Sequence, residues 1–300
     1  MLELVENLRE AYRISIEELD WMGDSTKVQA QEKLKKFRPK VGFPNEWKDY
    51  SNLVISKDDL VGNIKNSTLD RTIKNREKLG KPIDREEWGM TPQTVNAYYS
   101  PLLNEIVFPA GILQPPFFNM EADDAVNYGA IGAVIGHEMG HGFDDKGSKY
   151  DGNGELRNWW TESDRKQFEE RTKKLIDQYN GYTVVDGTPV NGEFTQGENI
   201  GDLAGIVIAY KAYQLSKKGS KAPIIDGLTG DQRFFFGWAT IWGSKSTDEQ
   251  LIRQIKTDPH SPGEFRANGP LVSMPEFVNL YNIKPGDGMY IDPNDRVKIW

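Results

Sequence analysis

Apolar residues near the start of the chain recur every three or four positions, which is the spacing of one face of an α-helix. They predict an amphipathic helix over residues 2–20. A second helix is predicted over 24–37, because polar capping residues precede it and Pro39 follows it. After a loop rich in Gly, Pro and Asn, a longer and more polar helix is predicted over 57–79.

The pattern changes in the segment that follows. Runs rich in β-branched and aromatic residues at 94–99 and 104–108 are separated by Ser100 and Pro101, and they predict a β-hairpin. Helical spacing then returns, and it predicts helices at 123–141, 161–179, 195–217 and 231–255. The expected fold class is therefore mainly α-helical with a small β-sheet, an α+β arrangement.

The charge balance of the chain is acidic. Its 37 Lys and Arg residues face 45 Asp and Glu residues, which gives a formal net charge of -8. This balance argues against a nucleic-acid-binding protein, because such proteins usually present a basic face. The densest basic run is expected on the solvated face of a helix, since acidic residues surround it; it comprises Lys33, Lys35, Lys36, Arg38 and Lys40.

The chain contains no cysteine, so disulfides and thiolate metal sites are excluded. Its longest apolar stretch, 125–136, is too short to cross a bilayer, and its acidic first residues lack the features of a signal peptide. The chain as given is expected to be soluble and without a membrane segment. Its compartment stays open between export from a bacterial cell, into the periplasm or the medium, and the cytoplasm.

The candidate chemistry centres on the H-E-x-x-H pattern formed by His137, Glu138 and His141. Positions i and i+4 lie on one face of a helix, so the two imidazoles can converge on one tetrahedral metal ion. Glu138 projects about 100° round the helix, where it can take a proton from metal-bound water. A chance match on an amphipathic helix is the alternative. It is disfavoured because the chain has only 3 His and two of them flank this Glu.

A third ligand must come from elsewhere, because Asp144 and Gly147 occupy the positions where a metzincin would carry Gly and His. Glu198 and Asp202 stand at i and i+4 on the predicted helix over 195–217. Glu198 can then ligate, while Asp202 reaches the free ring nitrogen of a ligand histidine and fixes its tautomer. On the residues alone, a solvated acidic helix start remains the alternative.

With these residues in view, the sequence resembles the neprilysin family of zinc metallopeptidases (M13), which includes endothelin-converting enzymes and bacterial oligopeptidases. Six blocks carry the resemblance in order over essentially the whole chain: NAYY at 96–99, IVFPAGILQPPFF at 106–118, VIGHEMGHGFDD at 134–145, GENIGD at 197–202, DPHSPGEFR at 258–266, and the terminal Trp300. The resemblance implies a thermolysin-like zincin catalytic domain.

The resemblance also implies roles for individual residues. One zinc ion per chain would be held by His137, His141 and Glu198, with Glu138 as the general base and proton shuttle. Asp202 and Asp144 would hold the ligand histidines from outside the coordination sphere. His260 would stabilise the oxyanion that forms during hydrolysis, although on the residues alone it could be an ordinary loop histidine.

Further residues are implied to bind the peptide substrate. Arg266 would bind a carbonyl or carboxylate of the substrate, and Asn96 with the Ala97 backbone would pair with the extended peptide as an added strand. An apolar pocket after the scissile bond implies cleavage on the amino side of hydrophobic residues. The pocket positions are Ile112, Phe117, Val134, Ile241 and Trp242.

Members of this family are considerably longer than this chain, and their N-terminal half forms a helical lid. We therefore expect a single catalytic domain over 1–300, with helices in 1–60 that would normally contact the missing lid and a catalytic core over 90–300. The possible partners are the lid half itself or a second copy, if the first helix exposes its apolar face.

Three functions follow from this reading. The first is a zinc endopeptidase or oligopeptidase that cleaves short peptides with zinc-activated water. The second is a catalytically weak piece that serves as half of a larger peptidase assembly. The third is another zinc hydrolase with a Glu ligand, such as an aminopeptidase. Cleavage of an N-terminally blocked peptide would exclude the third.

Overall fold

Eleven α-helices and three short β-strands form the computed structural model, which describes residues 1–300. The predicted mainly helical class with a small sheet is confirmed. In chain order the elements are α1 (Leu2–Glu18), α2 (Asp24–Lys35), β1 (Arg38–Gly42), α3 (Leu60–Glu77), β2 (Tyr98–Ser100), β3 (Glu105–Pro109), α4 (Asp124–Asn127), α5 (Ala133–Gly140), α6 (Glu162–Asn180), α7 (Gln196–Ser216), α8 (Gly230–Ile241), α9 (Asp248–Thr257), α10 (Gly263–Asn268) and α11 (Pro275–Leu280).

The centre of the molecule is the pair of helices α5 and α7, which make the most extensive contact between any two elements. Glycines let their backbones touch. A Cβ atom added to Gly136 would lie 2.8 Å from the carbonyl oxygen of Gly205, and one added to Gly205 would lie 2.5 Å from the carbonyl oxygen of Ala133. No larger residue fits at this crossing without separating the helices, so the sequence dictates a close approach.

Helix α1 covers one side of this pair. Its apolar stripe (Val5, Leu8, Ala11, Tyr12 and Ile16) is fully buried, and the Tyr12 hydroxyl donates a hydrogen bond of 2.8 Å to the Gly136 carbonyl. The expectation that α1 exposes an apolar face for self-association is therefore wrong. The stripe is satisfied within the chain because α7 packs directly against it.

The sheet has the strand order β1–β3–β2. Strands β2 and β3 pair antiparallel, as the predicted hairpin requires, whereas β1 pairs parallel with β3 and was not anticipated from the sequence. All five residues of β3 are buried, and β2 lies at one edge of the sheet. The edge strand β2 begins directly after Asn96 and Ala97, and it leads towards the candidate site.

The basic run at 33–40 does not form one solvated helix face. Lys35 and Lys36 are exposed, but Lys33 is only 1% exposed and Lys40 only 7% exposed. Lys40 lies in β1 and pairs with the buried Glu105 of β3 at 2.9 Å. The prediction failed because acidic neighbours in sequence say nothing about which lysines tertiary packing covers.

The long helices agree with the sequence in outline and differ in detail. The helical run from α4 to α5 is continuous, but it contains a π-helical turn at Tyr128–Gly132. The single helix predicted over 231–255 is wrong, because the chain leaves the helix after Ile241 and re-enters it at Asp248, where Thr247 caps α9. None of the helices has both the length and the hydrophobicity that a membrane span needs.

Candidate metal centre

The two motif histidines meet at the end of α5. His137 lies in its last turn and His141 caps its C-terminus, and their ring centroids are 4.5 Å apart with the planes nearly perpendicular. On α7, Gly201 faces the His137 ring, and a Cβ atom there would lie 2.8 Å from two ring atoms. The predicted i and i+4 convergence is therefore present, and glycine on α7 makes room for it.

A carboxylate orients each of these rings. Asp202 Oδ1 lies 2.8 Å from His137 Nδ1, and Asp144 Oδ2 lies 2.8 Å from His141 Nδ1. An ionised carboxylate can only accept, so each Nδ1 carries a proton, and each Nε2 is left for a metal ion, which would displace any proton held there. This arrangement matches the pairing of ligand histidines with acids in metal sites.

Glu198, in the first turn of α7, completes the cluster. Its Oε2 atom lies 3.2 Å from His137 Nε2 and 3.7 Å from His141 Nε2, and the potential ligand atoms of the three residues lie within 4.8 Å of one another. Burial alone would raise the pKa of Glu198, but the neighbouring His137 and His260 imidazoles lower it far below its ordinary value. The carboxylate is therefore ionised.

The donor set fits a divalent zinc ion. Glu198 Oε2 is buried and no hydrogen bond is directed at it, although imidazole nitrogens stand close by. Two imidazole nitrogens and one carboxylate oxygen are the protein ligands of a catalytic zinc site that keeps a fourth position open. A cation would satisfy the two Nε2 lone pairs and the orphaned oxygen together.

Glu138 stands beside these three residues without belonging to the cluster. It is 6% exposed and lines the same cavity, which has a volume of about 380 Å³. Burial raises the pKa of Glu138 above its ordinary value, and the adjacent imidazoles oppose that rise. A carboxyl group with a raised pKa can exchange a proton more readily than an exposed one.

Arg266 and Asp202 form a buried pair behind His137. Arg266 donates to Asp202 through Nε and Nη2, each at 2.7 Å, and it stacks on the Trp242 ring with its guanidinium carbon 4.1 Å from the centroid. Burial alone would raise the pKa of Asp202, but the Arg266 charge outweighs burial and lowers it. Arg266 still lines the cavity, and its Nη1 group is not used in this pair.

His260 reaches the cluster from the loop between α9 and α10. Its Nε2 atom lies 3.1 Å from Glu198 Oε2, and its Nδ1 atom lies 2.6 Å from Asp258 Oδ1. The adjacent Glu198 carboxylate is the main reason that the pKa of His260 is raised. Sequence reasoning missed Asp258, although an acid two residues before an active-site histidine was a usable signal.

Most of the predicted substrate-binding residues line the same cavity, and one does not. The residues that do so are Asn96, Ala97, Ile112, Phe117, Val134, Trp242 and Arg266. Ile241 packs against the core instead. Trp238 takes its place in the lining, because it stands one turn before Trp242 on the same face of α8, whereas Ile241 points about 100° away.

A larger groove of about 810 Å³ lies elsewhere, between α3 and the segments on either side of it. It is lined by interspersed lysines and glutamates, and none of the three histidines reaches it. Of these two cavities, the smaller one combines apolar walls with convergent imidazoles and carboxylates, so it is the candidate functional site.

Comparison with known proteins identifies the family of this chain. Residues 96–297 match the family model described as Peptidase family M13, and residues 1–44 match a second model with the same description. Among curated relatives, Neprilysin-3 of Drosophila melanogaster is 38% identical over 99% of this chain and 39% of its own length. Human endothelin-converting enzyme 1 is 39% identical over 99% of this chain and 40% of its own length.

Solved structures show the same fold. The zinc metalloprotease ZMP1 of Mycobacterium tuberculosis, in complex with an inhibitor, superposes with a TM-score of 0.97 and 56% identity, over 99% of this chain and 46% of that one. PepO from Lactobacillus rhamnosis superposes with a TM-score of 0.91 and 35% identity, over 100% of this chain and 46% of that one. The predicted thermolysin-like zincin fold is confirmed. The chain spans less than half the length of these relatives, and it belongs to peptidase family M13.

Proposed function

We propose that this chain is a zinc-dependent endopeptidase or oligopeptidase that hydrolyses short peptides, with one zinc ion held by His137, His141 and Glu198. The observation that carries the proposal is the buried oxygen Oε2 of Glu198, which accepts no hydrogen bond and faces the Nε2 atoms of His137 and His141. The chemistry supplied by bound zinc is Lewis acidity, which lowers the pKa of water and polarises a peptide carbonyl.

The residues around the cluster would transfer the proton of the attacking water and stabilise the negative charge on the peptide carbonyl oxygen. Glu138 removes a proton from the attacking water and later delivers it to the leaving amine. His260, oriented by Asp258, stabilises the negative charge that develops on the carbonyl oxygen. Asp202 and Asp144 keep the ligand imidazoles in the tautomer that exposes Nε2.

The peptide would bind along the sheet edge. Strand β2 has no partner on its outer side, so Asn96 and the Ala97 backbone just before it can pair with an extended substrate. The apolar walls formed by Ile112, Phe117 and Trp242 favour cleavage on the amino side of a hydrophobic residue. Arg266, with its Nη1 group free, would bind a carbonyl or carboxylate of the peptide.

A second candidate function is that the chain is only weakly active by itself and serves as half of a larger peptidase. The supporting observation is helix α3, in which no residue is buried. Its apolar side chains Leu60, Ile64 and Leu69 are each more than half exposed. Such a surface suits contact with further polypeptide. In this case residues 1–300 still form one catalytic unit, and zinc binding is unchanged.

A quenched peptide blocked at its N-terminus tests the proposal. The zinc-loaded chain should cleave it before a hydrophobic residue, and a chelator should stop cleavage. Glu138→Gln should retain zinc but lose roughly 10²- to 10⁴-fold in activity, because the general base is removed. Unimpaired turnover by Glu138→Gln would exclude the assigned role. Absence of cleavage by a zinc-loaded parent chain would favour the second candidate.

A further inference from the structure

Lys33 is a buried lysine with no acidic hydrogen-bond partner. It lies on α2, is 1% exposed, and donates from Nζ to three backbone carbonyls: Gly142 at 2.5 Å, Gly147 at 2.7 Å and Tyr150 at 2.7 Å. An ammonium group has three N–H donors, so the carbonyls use all of them. Nothing in the proposed reaction uses this residue.

The three carbonyls belong to one turn, residues 142–150, which follows directly after His141. Within it, Asp144 Oδ1 accepts from the Lys146 amide at 2.8 Å and from the Gly147 amide at 2.6 Å. The other oxygen of Asp144 contacts His141 Nδ1. The turn therefore holds the Asp144 carboxylate in place, and this carboxylate in turn orients His141, a candidate zinc ligand.

We propose that Lys33 is a positioning residue for the metal centre, which acts by holding the 142–150 turn so that Asp144 orients His141. This inference rests on the proposed zinc site. It links α2, which contributes no residue to the cavity, to the coordination geometry at the end of α5.

Charge and packing both favour this arrangement. The carbonyl of Gly142 follows the C-terminus of α5, where the helix dipole favours a cation. The rings of Tyr99, Phe143 and Trp159 surround Nζ with centroids 5.7–5.9 Å away, which excludes water and offers their negative faces. Removing the ammonium would leave three buried carbonyls without donors, so the turn would rearrange to find water.

A double-mutant cycle separates positioning from a general contribution to stability. The zinc dissociation constants of the parent, Lys33→Met, Asp144→Asn and the double variant are measured by competition with a chelator. Circular dichroism checks that each variant is folded. Lys40→Met is the matched control, because Lys40 is also a buried lysine but donates its hydrogen bonds to the Glu105 carboxylate and the Glu87 carbonyl. The Co²⁺ absorption spectrum of each variant reports ligand geometry directly.

We expect Lys33→Met to weaken zinc binding about 10-fold, within the range of 10- to 100-fold known for residues that orient metal ligands. In the Asp144→Asn background the same substitution should add less than about 2-fold, because its effect passes through Asp144. Lys40→Met should leave zinc affinity and the Co²⁺ spectrum unchanged. If Lys33→Met does not fold, Lys33→Gln keeps two N–H donors and takes its place.

Two results would overturn the inference. One is a folded Lys33 variant that binds zinc as tightly as the parent; the other is a loss of affinity that multiplies in full with that of Asp144→Asn. Failure of the parent chain itself to bind zinc would instead refute the proposed zinc site, so the two failures are distinguishable.

Discussion

At the scale of single residues, the candidate centre brings together three potential ligand atoms, two imidazole nitrogens and one carboxylate oxygen, which all lie within 4.8 Å of one another. Each of the two candidate histidines donates a hydrogen bond from Nδ1 to a carboxylate. Glu198 Oε2 is buried and accepts no hydrogen bond. Burial without a partner is costly for a carboxylate, and a bound cation removes that cost. The same atoms that look unsatisfied in the protein are therefore those that zinc would use.

The protonation of His137 makes zinc binding dependent on pH. Burial alone would lower the pKa of His137, but the Asp202 and Glu198 carboxylates outweigh it and raise the pKa to about 10 in the metal-free chain. A protonated Nε2 has no lone pair, so zinc must displace a proton. Below about pH 10 the zinc affinity should therefore fall roughly tenfold for each pH unit and each proton displaced.

Isothermal titration with zinc in buffers of different ionisation enthalpy measures this proton release. Proton release at pH 7 is the expected result. Affinity that stays constant from about pH 6 to 9, with no proton release, would contradict the assigned ligand.

At the scale of elements, the site depends on how closely α5 and α7 approach. Glu198 and Asp202 reach His137 only because the backbones touch at Gly136 and Gly205, and because Gly201 leaves space for the imidazole. The helix that carries the two candidate histidine ligands is therefore packed tightly against the helix that carries Glu198. Ligand geometry and core packing are consequently coupled in this protein.

A methyl group added where α5 crosses α7 should disturb both the core packing and the geometry of the candidate ligands. Gly205→Ala would place Cβ 2.5 Å from the Ala133 carbonyl oxygen and 2.9 Å from the His137 amide nitrogen. We expect the free energy of unfolding to fall by about 1–3 kcal/mol, as for other overpacked cores, and zinc affinity to fall as well. Denaturant unfolding and chelator competition measure the two effects.

Gly288→Ala is the matched control, because nothing lies within 4 Å of the added atom. It should change the free energy of unfolding by less than about 0.5 kcal/mol. A Gly205→Ala variant that behaves like this control would show that α5 and α7 have room to separate without cost.

At the scale of the whole molecule, the sequence predicted the features that depend on local residue spacing. It did not predict the features that depend on contacts between distant parts of the chain. The spacing of His137 and His141 predicted the candidate ligand pair, and the structure brings Glu198 and Asp202 of α7 next to it, where the resemblance to the family had led us to expect them. The burial of Lys33 could not be foreseen, because it depends on a turn more than a hundred residues later. For the same reason strand β1 was missed, since its partner β3 lies about seventy residues away.

The exposure of apolar side chains on helices α1 and α3 also depends on contacts that the local sequence does not specify. The amphipathic pattern of α1 was read correctly as a helix, but the sequence could not say that α7 covers its apolar stripe. Conversely, α3 was predicted as a polar helix and its apolar side chains are indeed uncovered within this chain. Apolar side chains are therefore covered on the side of α1 and exposed on the side of α3.

The central claim is that three side chains from two helices hold one zinc ion. The most direct test is the metal content of the purified chain after zinc loading and removal of excess metal, for the parent and for Glu198→Ala. We predict about one zinc ion per parent chain and a large loss of bound zinc in Glu198→Ala, since a ligand is removed. A parent chain that retains no zinc, or a Glu198→Ala variant that retains as much as the parent, would contradict the account.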